Sequence, residues 1–198
     1  MEKFRIDLPD WMPVAGLSKV MTLLLEHGSC RLVGGCVRDA ICGRQSQDFD
    51  IATSIPPQKV MEVLQARGIK CVGTGLKHGT ITAVSDGLVC EITTLRRDVE
   101  SFGRHAQVEF TDDWQEDALR RDFTINAMSM DLAGNVYDYF GGKADLSMKL
   151  VRFVGEPQKR IREDYLRILR YFRFYSYLGG SSIDQASLAA CAELIAEM

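Results

Sequence analysis

Asp48 and Asp50 stand two apart, with Phe49 between them, in the stretch GGCVRDAICGRQSQDFDIAT. On a strand this spacing sends both carboxylates to one face, where like charges repel. A divalent cation relieves that repulsion, and Mg²⁺ in particular bridges protein carboxylates to substrate phosphates. Taken alone, the pair fits a solvated strand edge just as well. The residues before it narrow the choice. Gly34 and Gly35 follow an apolar run and open a helix, so backbone N–H groups can approach an anion there. Arg38 lies in that helix, within reach of a phosphate. A glycine turn, a basic residue and two metal-binding acids in one strand–turn–helix–strand unit describe a nucleoside triphosphate site. The pattern is neither the G-x-x-x-x-G-K-[ST] loop nor the G-x-G-x-x-G fingerprint.

Two more clusters carry chemistry. RRDFTINAM, residues 120–128, places an arginine pair before an amphipathic turn. EDYLRILRYFRF, residues 163–174, repeats Asp164, Arg167, Arg170 and Arg173 every three residues. On a helix each such step drifts by about 60°, which makes Asp164 and Arg167 neighbours with Arg170 one step round. Leu166, Leu169 and Phe172 are then expected to pack on the core. Either cluster by itself also fits a solvated surface. Glu91, in LVCEITT, alternates with Cys90 and Ile92; it is either a third acid facing Asp48 and Asp50 or a simple edge-strand glutamate.

In this order the three clusters resemble the motifs of the polymerase β-like nucleotidyltransferases. More closely they resemble the class II family of CCA-adding tRNA nucleotidyltransferases and bacterial poly(A) polymerases. The likeness covers residues ~29–175 and includes the R-D after the glycines, the D-x-D-x-x-T spacing and R-R-D-[FL]-T-x-N-A. Cys36 stands where alanine is more usual, and Tyr165 where many members have proline. The resemblance implies an α+β fold: a nucleotidyltransferase head with a mixed or antiparallel sheet over 1–152, then the start of an all-helical neck over 153–198. It implies that Asp48 and Asp50 hold two Mg²⁺ ions, with Glu91 as a third catalytic acid. Gly34, Gly35, Arg38, Arg121, Asp122 and Asn126 would hold the triphosphate and ribose. Asp164 and Arg167 would read the base, with Arg170 and Arg173 beside them. The carboxylate accepts from an exocyclic amine and the guanidinium donates to the adjacent ring nitrogen. Cytosine and adenine both present that edge, whereas uracil and guanine do not. The expected reaction is attack of a tRNA 3′-hydroxyl on CTP or ATP, releasing pyrophosphate. Poly(A) synthesis, CC- or A-only addition, and a non-catalytic nucleotide- or RNA-binding module stay open. Residues 96–110 read as a polar loop, which in this family supports the switch from C to A addition.

The elements that must position these groups follow from periodicity. A helix is expected over 14–27, a strand over Cys30–Val33, a short helix closed near Gly43, a second strand over 49–52, and a helix from Pro56 and Pro57 to Ala66. Asp86-Gly87 and Gly134-Asn135 mark hairpins. Residues 111–128 read as mostly helical, and from Pro157 onward the chain is helical, interrupted at Gly179-Gly180. That pattern is still running at Met198, which reads as a chain cut short of its domain.

The 198 residues are 46% hydrophobic with a net charge of −3, ordinary for a globular protein and against blanket electrostatic binding of nucleic acid. Between 149 and 173, however, eight basic residues face three acidic ones. No apolar run approaches the ~18 residues of a membrane span, and the N-terminus lacks the apolar core of a signal peptide. These features suggest a cytosolic protein with no membrane or protein partner implied. Six cysteines without a C-x-x-C pair read as buried thiols.

Overall fold

The computed structural model describes residues 1–102 and 105–197. Eight strands form one mixed sheet: β1 (Glu2–Arg5), β2 (Cys30–Val33), β3 (Phe49–Thr53), β4 (Lys70–Gly75), β5 (Thr80–Ser85), β6 (Leu88–Thr94), β9 (Ser129–Met130) and β10 (Asn135–Asp138). Their order is β1-β10-β9-β2-β3-β6-β5-β4, with β3 and β6 parallel and every other pair antiparallel. The expected strand at Cys30–Val33 is present, and the second strand ends one residue later than expected. Asp86 (φ 51°) and Gly87 (φ 80°) both adopt left-handed backbone between β5 and β6, as a two-residue hairpin turn requires.

One face of the sheet is covered by α1 (Val14–Leu25) and α3 (Pro57–Gln65). Leu17, Val20, Met21 and Leu24 from α1 and Val60 and Leu64 from α3 bury their side chains against Leu32, Ile51, Ile81 and Ile92. The helices α6 (Pro157–Glu163), α7 (Leu166–Tyr177) and α8 (Gln185–Leu194) add Ile161, Ile168, Tyr171, Phe174 and Leu194 to the same cluster. The core is therefore continuous across residue 152.

Four expectations need correction. Most of the expected loop is instead strand: β7 (Arg96–Phe102) pairs antiparallel with β8 (His105–Phe110), with a bulge between Asp98 and Glu100. Its charged residues hide the strand signal, yet Arg97 bonds Glu109 across the ribbon at 3.0 Å; residues 103 and 104 of the expected loop lie outside the described residues. Residues 111–128 hold only α4 (Trp114–Leu119) and a single 3-10 turn, Thr124–Asn126. The backbone between them is extended instead, because Thr124 N–H bonds the Arg152 carbonyl and Val154 N–H bonds that of Asp122. The helix expected to run through Glu163 breaks at Asp164 (φ −159°, ψ 105°), whose carboxylate takes the Leu166 N–H at 3.1 Å. An aspartate competes with the helix for its own backbone donors. Finally, α7 buries Ile168, Tyr171 and Phe174, while Leu166, Leu169 and Phe172 are exposed. The apolar stripe sits two residues later than the spacing suggested.

Strand β1 and helix α5 (Gly142–Ser147) are additions that periodicity did not reveal. Asp138 explains α5: its carboxylate accepts N–H bonds from Phe140, Gly141, Gly142 and Lys143, at 2.9–3.1 Å, and so anchors the helix start. A Cβ on Gly142 would stand 2.4 Å from the Thr124 carbonyl oxygen, so only glycine lets α5 press against the 3-10 turn.

Candidate functional site

At the end of β2 the chain turns into α2 (Gly35–Ile41) through Gly34, at φ 74°. A Cβ there would sit 3.3 Å from an Arg121 Nη and 3.5 Å from Asp50 Oδ2, so the glycine keeps both side chains close to the turn. Gly35 opens the helix, and Cys36 is buried with its Sγ on the Val33 carbonyl at 3.3 Å. Beside this turn lies a cleft of about 460 Å³. Of the thirteen expected site residues, it gathers Gly34, Gly35, Arg38, Asp48, Asp50, Arg121, Asp122, Asn126, Asp164, Arg167, Arg170 and Arg173. Three segments distant in sequence thus meet at one place.

Glu91 is the exception. The β3–β6 register places it directly beside Asp50, but it is exposed and outside the cleft lining. Four lining residues went unforeseen: Asp39, Ser46, Arg120 and Phe174.

The arginines are pre-aimed. Buried Arg38 donates to Asp39 through Nε and Nη2, at 2.9 and 3.0 Å, and to Asn126 Oδ1 at 2.7 Å. Tyr177 in turn donates its hydroxyl to Asp39 at 2.7 Å. Arg38 is accordingly more a pin between α2 and the 3-10 turn than a free phosphate hook. Asp122 accepts the Phe123 N–H and an Asn126 amide proton, and Arg170 approaches its other oxygen to 2.6 Å without hydrogen-bond alignment. Asp117, buried on α4, takes Arg120 Nε at 2.8 Å, Arg121 Nη2 at 3.2 Å and the Arg96 N–H at 3.3 Å. Burial works to raise its pKa, but the two guanidinium groups outweigh it and hold the carboxyl below the usual aspartate range. The i,i+3 and i,i+4 spacing from Asp117 to the arginine pair is a sequence signal that could have found it.

The base-reading expectation meets a different geometry. Asp164 lies in the break between α6 and α7, its carboxylate on the Leu166 N–H, and Arg167 Nη1 bonds Glu163 and the Arg160 carbonyl, both at 2.7 Å. Asp164 and Arg167 both line the cleft, but Arg167 takes Glu163 as its ionic partner.

Electrostatically the cleft holds six arginines and five aspartates. Burial raises the Asp50 pKa, Glu91 and Asp48 raise it further, and Arg121 opposes them. A half-buried carboxylate beside like charges is a site that a cation would relieve. Among the described residues no group of three His, Cys, Asp or Glu side chains forms a ready cage. Asp48 and Asp50 therefore suit an ion that keeps waters and takes its remaining ligands from a phosphate substrate.

Sequence and structure comparisons give the chain its family. The chain is 51% identical over 171 residues to CCA tRNA nucleotidyltransferase 1, mitochondrial, of Mus musculus, covering 85% of this chain and 39% of that protein. Its structure matches the Bacillus stearothermophilus CCA-adding enzyme in complex with CTP at a TM-score of 0.82 and 36% identity, over 94% of this chain and 46% of the other. It also matches a tRNA nucleotidyltransferase complexed with a primer tRNA and an incoming ATP analog, at TM-score 0.72 and 28% identity, over 93% and 50% of the two chains. The chain thus spans half or less of the length of these relatives. Residues 30–152 match the profile of the poly A polymerase head domain, and the chain belongs to that family.

Proposed function

We propose that this protein is a template-independent RNA nucleotidyltransferase that adds C and A to the 3′ end of tRNA from CTP and ATP. The observation that carries the reading is the convergence of Gly34–Asp50, Arg121–Asn126 and Asp164–Arg173 on one cleft. In this reading residues 1–152 are the catalytic head and 153–198 begin the helical neck. Its place is the cytosol or, as the mouse relative's name has it for that protein, the mitochondrion. Among the described residues no helix is long and apolar enough to cross a membrane.

The Gly34–Gly35 turn and Arg121 receive the triphosphate, with Arg38 and Asn126 fixing the floor beneath it. Asp48 and Asp50 would hold Mg²⁺, which lowers the pKa of the attacking hydroxyl and neutralises charge on the leaving phosphates. The RNA 3′-oxygen forms a bond to the α-phosphorus, the bond to the β-phosphate oxygen breaks, pyrophosphate leaves, and the hydroxyl proton passes to solvent. Positioning and electrostatics supply most of the rate in such a displacement. Asp164 and Arg167 present an acceptor and a donor to the base, once the nucleotide draws Arg167 away from Glu163. A site that hydrogen-bonds its substrate rejects UTP and GTP strongly, because the mismatch leaves buried polar groups unpaired.

The family's description as a poly A polymerase head favours, as a second reading, the use of ATP alone. Incubation of the protein with tRNA lacking its terminal CCA, supplied with CTP or ATP singly and then together, separates the two. CC with CTP alone and CCA with both is the expected result. Long A tracts with ATP alone would support the second reading. Nucleotide binding without incorporation would leave a binding module.

A further inference from the structure

Six polar side chains close a ring between helix α7 and the cleft. Tyr177 Oη donates to Asp39 Oδ1 at 2.7 Å, and the same oxygen accepts Arg38 Nε at 2.9 Å. Arg38 Nη1 donates to Asn126 Oδ1 at 2.7 Å, and Asn126 donates to Asp122 Oδ1 at 3.3 Å. Arg170 meets the other Asp122 oxygen at 2.6 Å. The ring thus leaves α7 at Tyr177 and returns to it at Arg170. Seven residues are about two helical turns, so both side chains project from the same face of α7. Arg38, Asp39, Asp122 and Asn126 are buried, and every member of the ring lines the cleft except Tyr177.

Resting on the nucleotidyltransferase reading above, we infer that Tyr177 is a positioning residue for nucleotide binding. From the far end of α7 it sets Arg38, and through Arg38 the Asn126 and Asp122 groups of the cleft wall. The physical reason is the shared Asp39 oxygen. A buried polar network stays rigid only while each member is satisfied, and losing the Tyr177 hydroxyl loosens the carboxylate that anchors Arg38. Tyr177 also holds Arg38 with its ring, which lies 4.9 Å from the Arg38 guanidinium. Such a contact counts most where the cation is out of water, as buried Arg38 is. The Arg44 guanidinium lies 4.5 Å from the same ring and donates to the Tyr177 carbonyl at 2.9 Å, which fixes the tyrosine in place. The proposed base readers Asp164 and Arg167 take other partners and lie outside the ring. Loss of Tyr177 therefore weakens CTP and ATP alike and leaves the choice of base alone.

Tyr177→Phe keeps the ring and deletes one oxygen at a side chain that is 38% exposed, so the core is untouched. Its matched control is Tyr175→Phe, which deletes the hydroxyl that donates to the Gly180 carbonyl at 2.6 Å, at the same end of α7. Calorimetric titration with CTP and with ATP in the presence of Mg²⁺ is expected to show both dissociation constants raised about fivefold in Tyr177→Phe. Tyr175→Phe should keep the wild-type values, with a similar small fall in melting temperature in the two variants. Tyr177→Leu, which removes the ring contact as well, should weaken both nucleotides further. Wild-type affinity in Tyr177→Phe, or an equal loss in Tyr175→Phe, would overturn the positioning role and leave the hydroxyl as a fastening of the helix end. Unequal factors for CTP and ATP would overturn it too, by moving Tyr177 to base choice. Wild-type protein that binds neither nucleotide would remove the underlying reading, and this role with it.

Discussion

At Asp50, the fold holds a carboxylate partly out of water and next to two others, and Arg121 offsets this only in part. Its folded-state pKa is raised above the unfolded value of about 4. Below that unfolded value the group costs nothing; as pH rises through the folded value, charging it destabilises the native state. Asp50→Asn should therefore raise the melting temperature of the metal-free protein at pH 8 and lose that advantage near pH 3.5, while abolishing incorporation. Thermal scans at the two pH values check it; an unchanged or lower melting temperature at pH 8 would mean that Arg121 already balances the site. Asp117 behaves in the opposite sense. Its depressed pKa gives stability that is present above about pH 4 and fades as pH falls through the folded value. Asp117→Asn removes the charge that holds Arg120 and Arg121, and should cost about 3 kcal/mol of stability by denaturant titration. It should also raise the KM for CTP and ATP more than it lowers kcat, as the proposed role of these arginines in holding the triphosphate requires.

Helix α7 is the element where the site meets the core. Its arginines face the cleft, and the residues that fix its rotation are Ile168, Tyr171 and Phe174. Tyr171 stacks on Phe153 with ring centroids 5.9 Å apart and a 9° tilt. Tyr171→Ala should cost about 3–5 kcal/mol, whereas Leu169→Ala should stay within about 0.5 kcal/mol; urea titration of both variants distinguishes the observed rotation from the one expected from spacing. The sequence was most informative where side chain and backbone pull together, as at Gly34–Asp50, where the turn, the helix and the strand each have their own signal. It misled where a tertiary partner overrides local pattern. The 163–174 stretch has two adjacent apolar stripes of similar strength, and only the Phe123–Phe153 ring pair decides which is buried. The pairing of β7 with β8 was hidden because charged residues depress strand propensity. Glu91 shows the limit from the other direction: its place beside Asp50 follows from a parallel pairing that no local pattern encodes.

The whole molecule joins its two segments through contacts that serve the site. Arg160, buried on α6, donates to the carbonyls of Arg120 and Arg121 and pairs with Glu163, which also holds Arg167. The arginine pair at the glycine turn and the helix that lines the cleft with Arg167 thus share one guanidinium. Tyr177, at the far end of α7, bonds Asp39 and takes Arg44 on its carbonyl at 2.9 Å. Beneath these ties a single apolar cluster runs from Met12 to Leu194. A protein built this way has no seam at residue 152 along which one part can melt before the other. Thermal or urea unfolding of residues 1–198 should therefore be one cooperative transition. Far-ultraviolet circular dichroism reports both segments, whereas Trp11 and Trp114 fluorescence reports the sheet alone, and the two midpoints should coincide. Phe174→Ala, which lies in the segment after residue 152, should lower both midpoints together. A variant in which the helical signal is lost first, with tryptophan fluorescence unmoved, would show instead that 153–198 is an independent folding unit and that Arg160 couples the two only through local contacts.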